Sequence, residues 1–240
     1  MPPTASVVAQ LTVAPKPVIC LDTCDILEVV QCLDWEKPGT PRSVKCIEPA
    51  RRLLNTLAAD PDRAVVVITD LVRMEWNQNI KFIQQKAERF LENVDSIVSF
   101  PYQAAGFVGT VLPVYDSLSP KTLVADLVAL STALLNHATR LGREVAVDKR
   151  ALDRVMTKKR PSHDGHIKDS INFEHYLAFA RQLRAKGFVQ DIVFVSKNRK
   201  DYWDGDRDQI HPDLKSEIED PAVQLQFFGS LVSALPKVGI

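Results

Sequence analysis

Four carboxylates stand where an α/β chain can do chemistry: Asp22, Glu75, Asp169 and Asp201. Asp22 closes the apolar run Val18-Ile-Cys-Leu, and Glu75 falls in the opening turns of a helix that follows a second run, Ala64-Val-Val-Val-Ile-Thr69. Asp169 opens a helix leading into a third run, Asp191-Ile-Val-Phe-Val-Ser196, and Asp201 lies in the loop beyond it. Singly, each has an ordinary reading. A strand-end Asp caps a turn, a first-turn acid answers the helix macrodipole, and Glu75 or Asp201 can be a solvated surface residue. As an ordered set they predict a crowded acidic pocket. Crowded carboxylates repel, and they hold protons more tightly unless a cation joins them. A hard divalent ion, Mg²⁺ or Mn²⁺, suits an all-oxygen set. Such an ion lowers the pKa of bound water and neutralises phosphoryl charge. The expected chemistry is therefore phosphodiester hydrolysis, with Asp22 and Asp169 as direct ligands because a strand terminus and a helix start are rigid mounts.

Other residues could serve such a site. Between Arg140 and Arg160 eight basic residues face three acidic ones in a chain of zero formal net charge. A helix expected over Asp148–Lys159 would set Arg150, Arg154 and Lys158 in a stripe at i, i+4 and i+8. Facing the acids, that stripe would track a phosphate backbone; otherwise it is a solvated helix face. His163 and His166 flank Gly165 near Asp169 and could act in acid–base chemistry or be plain loop residues. Of Tyr202 and Trp203, either could stack a base or pack beneath the sheet edge. Asn172 lies one turn from Asp169 and shares its face.

These residues need a frame, and the apolar runs supply it. Strands at 18–22, 64–69 and 191–196, separated by helices, imply right-handed crossovers and a parallel sheet covered on both faces. Ligands then bind outside the carboxyl ends of the strands. Helices are expected at 25–35, at 48–59 with Pro49 in the first turn, and at 71–98 with Pro101 beyond. Others are expected from Ser119-Pro120 to Leu141, and from Lys168 to a stop at Gly187. Residues 223–228 read as a fourth strand, with a short helix to Leu235, and Lys37–Arg42 as a loop. Residues 1–17, rich in proline, read as a flexible tail with a short extended piece at Val7–Val13.

Composition sets further bounds. At 45% hydrophobic and 25% charged the chain reads as a soluble globular protein, and its 240 residues suit one large domain or a small domain carrying a big insertion. A neutral chain lacks the global basic surplus of many nucleic-acid binders. The four cysteines, Cys20, Cys24, Cys32 and Cys46, form no CxxC pair, so zinc is not expected and reduced thiols are. No apolar run approaches the ~20 residues of a membrane span, and the N-terminus lacks a signal-peptide pattern. The expected location is cytoplasmic.

With these residues in view, the chain resembles the PIN-like nucleases, in the longer branch with a helical insertion. Ile19-Cys-Leu-Asp-Thr-Cys-Asp-Ile-Leu27 is similar to the family's opening strand and acid, with Cys24 where the family usually has Asn. Ile68-Thr-Asp-Leu-Val-Arg-Met-Glu75, Lys168-Asp-Ser-Ile-Asn172 and Phe194-Val-Ser-Lys-Asn-Arg-Lys-Asp-Tyr202 resemble its later segments. The resemblance implies a three-layer α/β/α sandwich over residues 18–240, a mostly parallel sheet, and an insertion at about 105–165. It implies an Mg²⁺- or Mn²⁺-dependent endoribonuclease whose catalytic and metal-holding acids are Asp22, Glu75, Asp169 and Asp201. Ser196, with Thr23 and Asn172, would hold those acids in place, and RNA or single-stranded nucleic acid would be the substrate. An antitoxin or defence partner protein and a homodimer fit the family equally. The alternative is an inactive PIN-like module that binds RNA or protein. An Asp-nucleophile phosphotransferase would want an acid at position 24, and a phosphoacceptor domain is customarily shorter.

Overall fold

A computed structural model describes residues 4–33, 44–118, 122–162, 164–204 and 209–240. The chain opens with α1 (Thr4–Val13), β1 (Val18–Leu21), α2 (Thr23–Gln31), α3 (Ile47–Ala59), β2 (Val65–Thr69) and α4 (Asp70–Phe107). It continues through α5 (Leu123–His137), β3 (Thr139–Leu141), α6 (Val145–Met156), α7 (Ile167–Ala185) and β4 (Ile192–Val195). It ends with α8 (Arg199–Tyr202), α9 (Pro212–Ile218), β5 (Gln226–Phe228) and α10 (Leu231–Ala234). The strands form one sheet in the order β3-β2-β1-β4-β5, and every pairing is parallel. The three long apolar runs are thus neighbours at its centre. They read as continuous rather than alternating because helices cover both faces.

Alternate side chains feed separate cores. Ile19, Leu21, Val66, Ile68, Val193 and Val195 point into one, with α2, α3, α4, α5 and α10. Val18, Cys20, Val67, Ile192 and Phe194 point into the other, where α7 supplies Phe173, Tyr176, Leu177 and Phe179. The fold is an α/β/α sandwich around an all-parallel five-stranded sheet. Among the described residues, no helix is long and apolar enough to cross a membrane.

Several expectations need correction. Residues 4–13 are a helix, not part of a flexible tail: Val7, Val8 and Leu11 are buried against α7, and Thr4 Oγ1 donates to the Gly142 carbonyl at 3.1 Å. Their i, i+1, i+4 spacing is one helical face, short enough to be hidden among flanking prolines. The region 105–165 is woven into the core rather than set beside it. There α5 packs on α2, α3 and α4, and α6 on α7, while β3 extends the sheet beyond β2. Thr139–Leu141, expected as helix, is too short a strand for alternation to show. The helix expected to end near Val98 continues through Pro101 to Phe107. The expected loop at 37–42 and the Ser119-Pro120 helix start lie outside the described residues.

Because α1 is structural, Leu11→Ala should cost ~2–5 kcal/mol, the range for emptying a buried leucine site. Urea denaturation followed by circular dichroism measures this; an unchanged midpoint would restore the flexible-tail reading.

Candidate functional site

From the central β1 the chain moves outward to β2 and β3, then returns to the other side of β1 as β4 and β5. The direction of winding reverses between β1 and β4, and the crevice outside the carboxyl ends of those two strands is where such sheets bind ligands. Leu21 pairs with Val195 across that seam. The next residue on each strand is therefore at the crevice: Asp22 on one side, Ser196 on the other.

Asp22 is buried and caps α2, its Oδ1 accepting from the Thr23 backbone N–H at 2.7 Å. Its Oδ2 accepts from Ser196 Oγ at 2.7 Å. Asn172 Nδ2, from α7, reaches Oδ1 at 3.4 Å, and the Asn172 carbonyl oxygen accepts from Thr69 Oγ1 at 2.5 Å. Thr69 in turn caps α4. Burial pushes the Asp22 carboxyl above its ordinary range, Ser196 and Thr23 pull it back, and the charge of Glu75 pushes it up again. The three residues expected to hold the acids, Thr23, Asn172 and Ser196, all touch Asp22 directly.

The remaining acids come from three other elements. Glu75, one turn into α4, accepts from Thr23 Oγ1 at 2.7 Å, and its other oxygen lies 3.2 Å from Lys168 Nζ. Asp169, in the first turn of α7, accepts from Asn198 Nδ2 at 3.0 Å. Its carboxyl is raised to about 7, by burial first, then by the charges of Asp22 and Asp201, with Glu75 adding to them. Asp201, buried on α8, thus belongs to the same electrostatic cluster. The N-termini of α2, α4 and α7 all end at this crevice, and their partial positive charge favours acids there.

A fifth acid joins the cluster. Asp25 is buried, and the Cys24 thiol lies 3.5 Å from Asp22 Oδ2 and 3.4 Å from Asp25 Oδ2. Burial, then the charge of Asp22, lifts the Asp25 carboxyl well above its ordinary value. A thiol has one proton to donate, so Cys24 serves one of the two carboxyls at a time. The signal in the sequence was its helical first-turn position, which alone cannot distinguish a buried acid from a solvated one. Asn198, which steadies Asp169, was likewise visible only as part of a loop.

The basic stripe does not form as expected. Arg154 is buried and spent on ion pairs with Glu174 and Glu217, with its guanidinium carbon 5.0 Å from the centre of the Phe173 ring. Arg150 also pairs with Glu174, at 3.1 Å. Lys158 lies past the end of α6 with a φ of 52°, so i+8 spacing no longer applies. Arg154 joins α6, α7 and α9 instead of reading phosphate. His163 lies outside the described residues, and His166, exposed, precedes α7 as its N-cap.

Along the β5 edge runs an open groove of about 1020 Å³, lined by Lys197, Arg199, Trp203, Lys215, Phe227 and Phe228, among others, and by none of the four acids. Tyr202 and Trp203 divide the two roles open to them. Tyr202 is buried among Phe173, Phe194 and Phe227, while Trp203 lines the groove with Arg199 over its ring.

The acids fit a hard divalent cation in donor chemistry: they are oxygen ligands from rigid elements, and at Asp22 and Asp169 like charge is part of what raises the carboxyls, a rise that a cation would relieve. Among the described residues, no three His, Cys, Asp or Glu side chains are already grouped as a ready-made ligand set. Mg²⁺ retains much of its water shell and needs only one or two direct carboxylates. A scan against protein-family models, a search of curated proteins and a search of solved structures each return no match.

Two predictions follow from this geometry. Arg154→Ala should destabilise the fold by ~3–5 kcal/mol, because it strands Glu174 and Glu217; chemical denaturation tests it, and a change in RNA affinity without loss of stability would contradict it. In metal-free protein, folded Asp169 keeps its proton up to about pH 7, whereas the unfolded chain loses it near 4. Over that window the unfolded state binds fewer protons, so stability falls as pH rises. The Tm advantage of Asp169→Asn over wild type in EDTA should therefore grow from pH 4 to pH 8, and a pH-independent difference would contradict the raised carboxyl.

Proposed function

We propose that this chain is a PIN-like, Mg²⁺- or Mn²⁺-dependent nuclease acting on RNA. The observation that supports it most is the convergence of Asp22, Glu75, Asp169 and Asp201, from the end of β1 and from α4, α7 and α8, on the switch-point crevice, with the Asp169 carboxyl raised to about 7 by burial first and then by the other acids. A site built only for stability would not gather like charges where burial already penalises them.

Asp22 and Asp169 would hold the ion, with Glu75 and Asp201 adding to the negative field around it. A bound Mg²⁺ or Mn²⁺ supplies stabilisation of phosphoryl charge and a more acidic water. The chain's own residues do the positioning. Thr23, Asn172 and Ser196 fix both oxygens of Asp22, and Asn198 fixes Asp169. Rigid placement matters because errors near 1 Å cost ~10²-fold in rate. Arg199 and Lys215 along the groove offer charge to a phosphate backbone, whereas Lys197 is paired with Glu28.

A non-cleaving RNA-binding module is the second reading. It is favoured by Lys168, whose ammonium already neutralises part of the cluster at Glu75.

Labelled RNA and DNA panels incubated in Mg²⁺, Mn²⁺ and EDTA separate the two. Cleavage of RNA should require metal, and Asp22→Asn and Asp169→Asn should each reduce it at least ~10²-fold while remaining folded. Folded variants that cut at the wild-type rate would refute the site, and metal-independent binding without cleavage would select the second reading.

A further inference from the structure

The core-facing side of α4 ends before the helix does. Its buried residues recur as Val72, Trp76, Ile80, Ile83, Ala87, Leu91 and Asp95. At Asp95 the chain comes back: Tyr115 Oη donates to Asp95 Oδ1 at 2.5 Å, and Ser117 Oγ to Oδ2 at 2.6 Å. The helix nevertheless runs on to Phe107, and the Tyr102 and Tyr115 rings, 5.5 Å apart, hold the returning segment along its flank. Beyond Asp95 the helix is an arm with no core beneath it.

The exposed face of that arm is apolar. Ile97, Phe100 and Phe107 are 72%, 71% and 90% exposed, and Val108, Val111 and Val114 are 78%, 95% and 96% exposed. On the scale of ~150–250 Å² for a buried aromatic residue, Ile97, Phe100 and Phe107 on the helix present on the order of 400 Å², and Val108, Val111 and Val114 just beyond its end add a comparable area. The largest apolar patch on a typical monomer is ~300–600 Å², and a standard interface takes ~800 Å² from each partner. From Ser96 to Tyr115 there is no charged residue. Upstream, the solvent side of the same helix carries Lys81, Lys86, Glu88, Arg89 and Glu92. The change of character begins where the core contact stops.

We propose that this arm is the contact surface for a second copy of the chain, with the two α4 helices packed antiparallel about a two-fold axis. Ile97, Phe100, Ala104 and Phe107 follow the 3-4-3 spacing of a helix–helix seam. The order is self-complementary. A two-fold axis beside position 102 sets Phe100 against Ala104 of the second copy, large against small, and Ile97 against Phe107, each pair occurring twice as an isologous contact requires. No charge in the stretch repels its own image. A nucleic acid would find no cation there. A bilayer surface would favour a helix with basic residues on its polar face, and hydrocarbon would not accept the irregular backbone of residues 111–117.

Sedimentation equilibrium on the full chain tests the proposal, together with flotation against phosphatidylcholine vesicles. Wild type at ~100 μM should have twice the monomer mass and dissociate on dilution. Phe100→Glu, and independently Ala104→Glu, should raise the dissociation constant at least tenfold with an unchanged circular dichroism spectrum; both positions face solvent, so either variant suffices if the other fails to fold. A monomeric wild type at that concentration, a dimer indifferent to both substitutions, or a monomer that floats with the vesicles would each overturn it.

Discussion

The carboxylate of Asp22 is the junction on which this molecule is organised. It is buried at the end of the central strand, where an uncompensated charge is costly. Its compensation comes from separate parts of the chain: the backbone of α2, the hydroxyl at the end of β4, and an amide from α7. Through Asn172 and Thr69 the same network reaches the cap of α4. One carboxylate thereby sets the relative placement of β1, β4, α4 and α7, which are also the elements that bring Glu75 and Asp169 to it.

Gathering acids carries an electrostatic cost, and the fold offsets it in graded ways. Helix N-termini at the crevice supply partial positive charge. Lys168 answers Glu75, and hydrogen bonds hold Asp22 and Asp169. Asp25, behind them, is pushed well above its ordinary value by burial and by the charge of Asp22, beside the Cys24 thiol. The Asp169 carboxyl is still raised to about 7, by burial first and then by the charges of Asp22 and Asp201. Elsewhere the chain treats buried charge differently: Arg154 is fully paired with Glu174 and Glu217, a structural tie across three helices. The two regions thus differ in kind: clustered charge of one sign at the crevice, and matched charge of both signs across the helices.

The long helix α4 serves both ends of this arrangement. Its first turns carry Glu75 to the crevice, and its middle closes one core with Trp76, whose indole donates to Ser131 at 2.8 Å. Its last turns leave the core and expose an apolar stripe. A single helix therefore joins the acid cluster to the surface assigned to a second copy, through rigid rather than flexible connection.

The strands 18–21, 65–69 and 192–195 and the helices between them were legible in the sequence, because continuous β-branched runs and helical periodicity are local signals. The parallel central sheet and the positions of Asp22, Glu75, Asp169 and Asp201 at its carboxyl edge followed from order along the chain. Signals spread over too few residues stayed hidden: Thr139–Leu141 is too short to alternate, and the apolar face of Thr4–Val13 is a single stripe among prolines. Charge was the least legible property. Arg150, Arg154 and Lys158 share helical spacing on paper, yet the acids that claim Arg154 come from α7 and from α9, far along the chain, and the helix ends before Lys158. Asp25 and Asp201 look like any polar helix or loop residue until burial is known. Which acids are buried, which cations are already paired, and where a helix loses its core are decided only by what packs against each residue, and that is a property of the tertiary structure alone.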